Sequence, residues 1–237
     1  MSDKSSLPQK TSSDKEIDAF LEQVQRSPAV ISHGSQGRLI FSLDATASRE
    51  RTWDQACQIQ NQMFLECQTL GGISIQLCHY AGFDHFAASD WMNSPDALLS
   101  QMRNVHCIGG HTQIARLLQH VLREIRQQPV QALVFVGDCV EEPVDFLCQL
   151  AGQAGLLGTP IFIFHEGRDI TAAQAFRQMA KVSNGAYCRF DSSSVAQLRA
   201  LLSAVAVYAA GGRQALEHFA DQQGGEVKRL SQQLGHK

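Results

Sequence analysis

Apolar and polar positions alternate in blocks along this 237-residue chain, and the period within each block predicts its element. Ser13-Asp14-Lys15-Glu16 has the form of a capping box. Ile17, Phe20, Leu21 and Val24 follow it at helical spacing, which predicts an amphipathic helix. Pro28 and the Ser/Gly-rich stretch 32–37 form a linker, so the main domain starts near Arg38. Leu39–Leu43 is a short buried strand, and residues 50–69 are helical up to Gly71-Gly72. Ile73, Ile75 and Leu77 alternate as a second strand, and Phe83–Ala88 as a third at an edge. Ser94-Pro95-Asp96 starts a helix. Thr112 opens the clearest one, with an apolar stripe of Ile114, Leu117, Leu118, Val121, Leu122 and Ile125. The continuous apolar runs Ala132–Val136 and Pro160–Phe164 suit strands buried on both faces. Pro143–Leu157 and residues 171–182 are helical, and Gly152 and Gly155 mark close helix packing or a helix end. Tyr187–Phe190 is a last strand, and Val195, Leu198, Leu202 and Val205 belong to a last helix.

Strands that alternate with helices need crossover connections. The expected fold is α/β, a doubly wound and mostly parallel six-stranded sheet with helices on both faces. Residues 1–37 form a tail, helix and linker, 38–210 the domain, and 211–237 a short helical extension. In such sheets, sites lie beyond the carboxyl ends of the strands, where the strand order reverses.

Composition narrows the function. Hydrophobic residues make up 44% of the chain, enough for a sizeable core. The net charge of −3 offers no basic excess for phosphates, so nucleic acid is not an expected partner. The longest apolar run, Ala200–Ala210, is about half of the ~20 residues a bilayer needs, and no membrane partner is expected. Seven cysteines without a C-x-x-C, most of them in apolar runs, predict a reducing, cytoplasmic location.

The loops after the strands carry the candidate chemistry. Asp44-x-Thr46-x-Ser48 follows the first strand, Gly109-Gly110-His111-Thr112 precedes the clearest helix, and Asp138 follows Val136. Alternation lets the three oxygens of the first loop point inward. Two carboxylates at the ends of two central strands repel each other unless a cation lies between them. Oxygen donors without a soft ligand suit a hard ion such as Mg2+. Asp and Ser after strands also serve as caps and turn formers, and any one loop alone would be read that way. Three such loops in order favour the metal.

At these residues the chain resembles a von Willebrand factor type A (VWA) domain, of the intracellular bacterial type, over roughly 38–210. That family carries a metal-ion-dependent adhesion site written D-x-S-x-S, then Thr, then Asp after the fourth strand. Asp44, Thr46 and Ser48 match the first motif with Thr in place of the middle Ser, and Thr112 and Asp138 match the others. Cys139 stands where the family more usually has Gly. The resemblance implies an interaction module rather than an enzyme. A Mg2+ or Mn2+ ion would be held by these five residues, with an open position filled by the Asp or Glu of a protein partner. His111, Glu141 and Glu142 would form the rim around it. Family members of this kind commonly act as adaptors in larger assemblies beside an AAA ATPase or a chaperone.

The first loop also resembles that of haloacid-dehalogenase-like phosphotransferases, with Asp44 as nucleophile and Lys181 as the phosphate-binding lysine. Thr46 then replaces the general acid, and Lys181 falls after Asp138 instead of before it. His106, Cys107 and His111 suggest zinc but lack a fourth ligand. His165 and Glu166 are expected near the rim, Trp53 and Trp91 as half-buried anchors, and Arg123, Arg126 and Lys181 on solvated helix faces.

Overall fold

The computed structural model describes residues 19–20, 22–24, 37–48, 73–190, 203–205 and 207–209. The helix expected over 50–69, Trp53 and the extension beyond 211 lie outside them.

Six strands form one sheet: β1 (Gly37–Asp44), β2 (Ile73–Ala81), β3 (His85–Ala88), β4 (Ala132–Gly137), β5 (Ile161–Glu166) and β6 (Ala186–Phe190). Their order is β3-β2-β1-β4-β5-β6, and all pairs are parallel except β2 with β3. The expected doubly wound sheet is therefore present. The chain builds outward from β1 to one side and then from β4 to the other, so the order reverses between β1 and β4. Asp44 ends β1 at that switch point, opposite Tyr80 of β2.

Four helices are described in full: α1 (Pro95–Arg103), α2 (Ile114–Gln127), α3 (Val144–Leu156) and α4 (Ile170–Val182). Strand residues alternate between two cores. Leu39, Phe41, Leu43, Val134 and Val136 face Leu98 and Met102 of α1. Ile40, Leu133, Phe135, Ile161 and Ile163 face α2, α3 and α4. The α2 stripe is buried as its spacing predicts, from Ile114 to Leu122. Gly155 lets α3 approach the turn after α4, because a Cβ there would stand 2.6 Å from Ser183 Cα.

Phe20, Val24, Val205 and Tyr208 join the core on the α1 face. Phe20 and Val24 are fully buried, and the Phe20 ring lies 5.3 Å from Phe164. Tyr208 stacks edge-on to Phe162 at 6.0 Å. Burying each such side chain contributes about 1.5–3 kcal/mol. The apolar stripe before the linker is thus part of this domain's own core at the two positions described.

Several local expectations are corrected. The third strand begins at His85, because Gly82 (φ 59°) starts a turn that leaves Phe83 outside the ladder. Helix α2 begins at Ile114 rather than Thr112, since Thr112 is committed to another loop. His165 is fully buried instead of lying at the rim, as the penultimate residue of an internal strand. Trp91 is half-buried as expected, donating to Glu124 at 2.9 Å beneath the Arg38 guanidinium.

Burial, and then the neighbouring His85 ring, lower the pKa of His79 to about 4. The unfolded chain takes up this proton near pH 6.5. Below that pH the unfolded state binds a proton that the folded state refuses, so stability falls as pH drops from about 6.5 towards 4. Burial lowers His120 and His165 as well, with the same sign. Urea midpoints at pH 7 and pH 5 should therefore differ, and His79→Gln should reduce that difference.

Candidate functional site

The site is built where three loops meet at the carboxyl ends of β1, β2 and β4. Backbone hydrogen bonds join the first two to the segment before α2. Ala45 N–H donates to Tyr80 C=O at 2.9 Å, and Ile108 N–H to Ala45 C=O at 3.0 Å. Gly82 N–H donates to Ile108 C=O, and His111 N–H to Gly82 C=O, both at 3.2 Å. Gly110 is required for this approach, because a Cβ there would lie 1.9 Å from the Gly82 carbonyl oxygen.

The third loop is joined by carboxylates. Helix α2 has no acidic residue in its first turn, and its N-cap Gln113 makes no side-chain cap. Glu142 replaces that cap from the loop after β4, accepting from Ile114 N–H at 2.7 Å and Ala115 N–H at 2.8 Å. Glu141 accepts from Thr112 N–H at 2.8 Å, and Thr112 Oγ1 accepts in return from Glu141 N–H at 3.1 Å. These bonds satisfy orphan donors and put negative charge at the positive end of the helix. Glu142, expected at the rim, is therefore turned inward to the helix. Glu141 stays partly exposed beside His111, whose Nδ1 is 3.4 Å away.

Asp44 is fully buried, and both of its oxygens accept hydrogen bonds. Thr46 N–H donates to Oδ1 at 2.8 Å, and Tyr80 O–H donates to Oδ2 at 3.1 Å. Thr46 Oγ1 and Ser48 Oγ are hydrogen-bonded at 3.0 Å, with Thr46 buried and Ser48 exposed. Asp138 is half-buried, and among the described residues its buried Oδ1 has no hydrogen-bond partner. Burial drives the Tyr80 pKa well above its usual value, with Asp44 first among the charges and Glu142 and Asp138 behind it. All three carboxylates therefore act on one buried phenol.

Tyr80 belongs to no motif; with His79 it follows the expected second strand, which leaves it either on this face or as a strand terminus. Its signal was positional: β2 pairs with β1 so that Tyr80 and Asp44 are register partners, and parallel partners project to one face.

The donor set fits a hard cation. An orphaned carboxylate oxygen, a buried carboxylate and three hydroxyls, of Thr46, Ser48 and Thr112, come from the three joined loops. Among the described residues, no three His, Cys, Asp or Glu side chains are grouped to hold a metal. Zinc at His106, Cys107 and His111 is thus not supported, and a cation would depend on the hydroxyls. Burial first, then Glu141, Asp138 and Asp169, raise the Cys139 pKa, so this thiol is not poised as a nucleophile. Lys181 is exposed in the last turn of α4, and α4 returns antiparallel to the strands. It therefore sits at the opposite end of the sheet from Asp44, out of reach of a phosphate there.

No family model and no curated protein matches the sequence. Solved structures do match. A von Willebrand factor type A protein from Catenulispora acidiphila superposes with a TM-score of 0.57 at 14% identity, over 73% of this chain and 43% of that one. This chain thus spans less than half of that protein's length. The SpRpn10 VWA domain superposes with a TM-score of 0.57 at 13% identity, over 73% of this chain and 95% of that one. An aerotolerance-related membrane protein from Bacteroides fragilis NCTC 9343 gives 0.54 at 15%, over 68% and 95%. Identities this low establish the fold, and the fold is that of a VWA domain.

The Glu142 cap sets the first expectation for the site. Glu142→Ala frees two N–H groups at a helix start and should cost about 1–2 kcal/mol by chemical denaturation. Glu141→Ala, at a partly exposed position, should cost less.

Proposed function

We propose that this chain is a protein-interaction module that captures a partner's Asp or Glu through a Mg2+ or Mn2+ ion. The ion would be held by Asp44, Thr46, Ser48, Thr112 and Asp138. The observation that carries this reading is the buried Oδ1 of Asp138, which has no partner among the described residues, in the same field as the buried Asp44. A desolvated carboxylate oxygen without a donor is costly, and a cation removes that cost. Mg2+ needs few protein ligands because it retains waters, and one of those positions can be exchanged for a partner's carboxylate.

The VWA fold supports an interaction role in general, and its site lies at the switch point where such sheets bind ligands. Thr46 stands where a phosphotransferase needs its general acid, and Lys181 sits in the last turn of α4, which weighs against the phosphotransferase reading. The adaptor role beside an AAA ATPase or a chaperone is part of this proposal. So is a cytoplasmic location, for which seven cysteines without a C-x-x-C, most of them in apolar runs, are the support. Among the described residues, no helix is long and apolar enough to cross a membrane.

Metal binding should stabilise the folded state. A ligand at 100 times its dissociation constant adds ~2.7 kcal/mol. Saturating Mn2+ should raise the melting temperature of the wild type and leave Asp138→Asn unmoved, and that variant keeps the side-chain volume. Asp44→Ala should lose both the shift and metal-dependent partner capture. Equal shifts in wild type and both variants would assign these residues to caps and turns alone.

A further inference from the structure

We infer that Phe83, Ile108 and His111 form an apolar shelf that selects partners whose acidic residue is flanked by a large apolar side chain. The inference rests on the metal-bridge reading above and names its partner more closely. Phe83 is 75% exposed and Ile108 53%, although both sit in backbone-bonded loops. The Phe83 ring stands edge-on to His111 with centroids 5.1 Å apart, and Ile108 is held beside Gly82, the residue before Phe83, by the bond from Gly82 N–H to Ile108 C=O. The three residues therefore lie on neighbouring, backbone-bonded loops.

That surface is tied to the site on two sides. Ile108 N–H is bonded to the carbonyl of Ala45, the residue after Asp44. His111 directly precedes Thr112 and faces Glu141. A partner carboxylate over the five oxygen donors thus brings its neighbouring residues over Phe83 and Ile108.

Charge identifies the occupant. Asp44, Asp138, Glu141 and Glu142 give this end of the sheet a negative field, so an acidic partner is repelled unless the cation bridges it. One carboxylate on one ion is common to every acidic segment and discriminates little between them. The shelf supplies the missing discrimination. Its loops are already ordered, so apolar contact there costs little conformational entropy on binding. Covering one large apolar side chain changes affinity by about tenfold or more.

The test displays the full chain to a peptide library with one fixed Glu or Asp and random flanking positions, in Mn2+ and in EDTA. The expected result is Mn2+-dependent enrichment of Leu, Ile, Phe or Met within two positions of the acid. The double variant Phe83→Ser/Ile108→Ser should bind the enriched peptide about tenfold more weakly. Its affinity for Mn2+ by titration calorimetry, and for a glycine-flanked acidic peptide, should match the wild type. Mn2+-dependent enrichment of the acid with no apolar preference overturns the shelf and leaves the metal bridge standing. Enrichment of apolar residues without acid or metal overturns it too, as does self-association in sedimentation that the double variant abolishes. Absence of any Mn2+-dependent acidic peptide removes the metal bridge itself.

Discussion

The bonds from Glu141 and Glu142 to the start of α2 are the constraint on which the rest of the site depends. A helix that begins without its own cap leaves several N–H groups exposed to the interior. Here they are satisfied from the following crossover, after the chain has passed through all of α2 and β4. The cap is therefore long-range and joins two loops that separate strands would otherwise hold independently. Thr112 and Asp138 owe their relative positions to it, because each lies within four residues of one end of these bonds.

A second consequence concerns Asp44. A carboxylate buried to this extent persists only if its lone pairs are filled, and here Thr46 N–H and Tyr80 O–H both contribute. Among the described residues, Asp138 has no such donor on its buried oxygen. The two aspartates thus differ in their states before any cation arrives. Asp44 is held in place by the protein, while Asp138 retains free coordinating capacity.

Much of the architecture was legible in the chain because it rests on periodicity. The strands Ala132–Gly137 and Ile161–Glu166 and the stripe of α2 follow from runs that suit few other structures. The expected first loop was readable for the same reason, since alternating Asp44, Thr46 and Ser48 is a local pattern. What escaped was non-local. Tyr80 becomes part of the site only through the register of β2 on β1, and Glu142 becomes a cap only through the packing of two crossovers. His165 ends an apolar run and reads as a strand terminus, yet β5 continues to Glu166 between two neighbours and buries it. Its Nδ1 meets Tyr187 O–H at 2.8 Å, a contact with no trace in local sequence.

The N-terminal stripe shows how the structure decides between surfaces. An amphipathic helix joined by a linker has two outlets for its apolar face, its own domain or a partner. Phe20 and Val24 are fully buried against β5 aromatics, so those side chains are spent within the core. Phe83 and its neighbour Ile108 are exposed, and they stand in loops bonded to that of Asp44. Burial inside the fold thus removes one interaction surface from contention and leaves the carboxyl-end face, where oxygen chemistry and apolar area occur together. A partner that used only the oxygens would gain little specificity, and one that used only the apolar side chains would meet an uncompensated negative field.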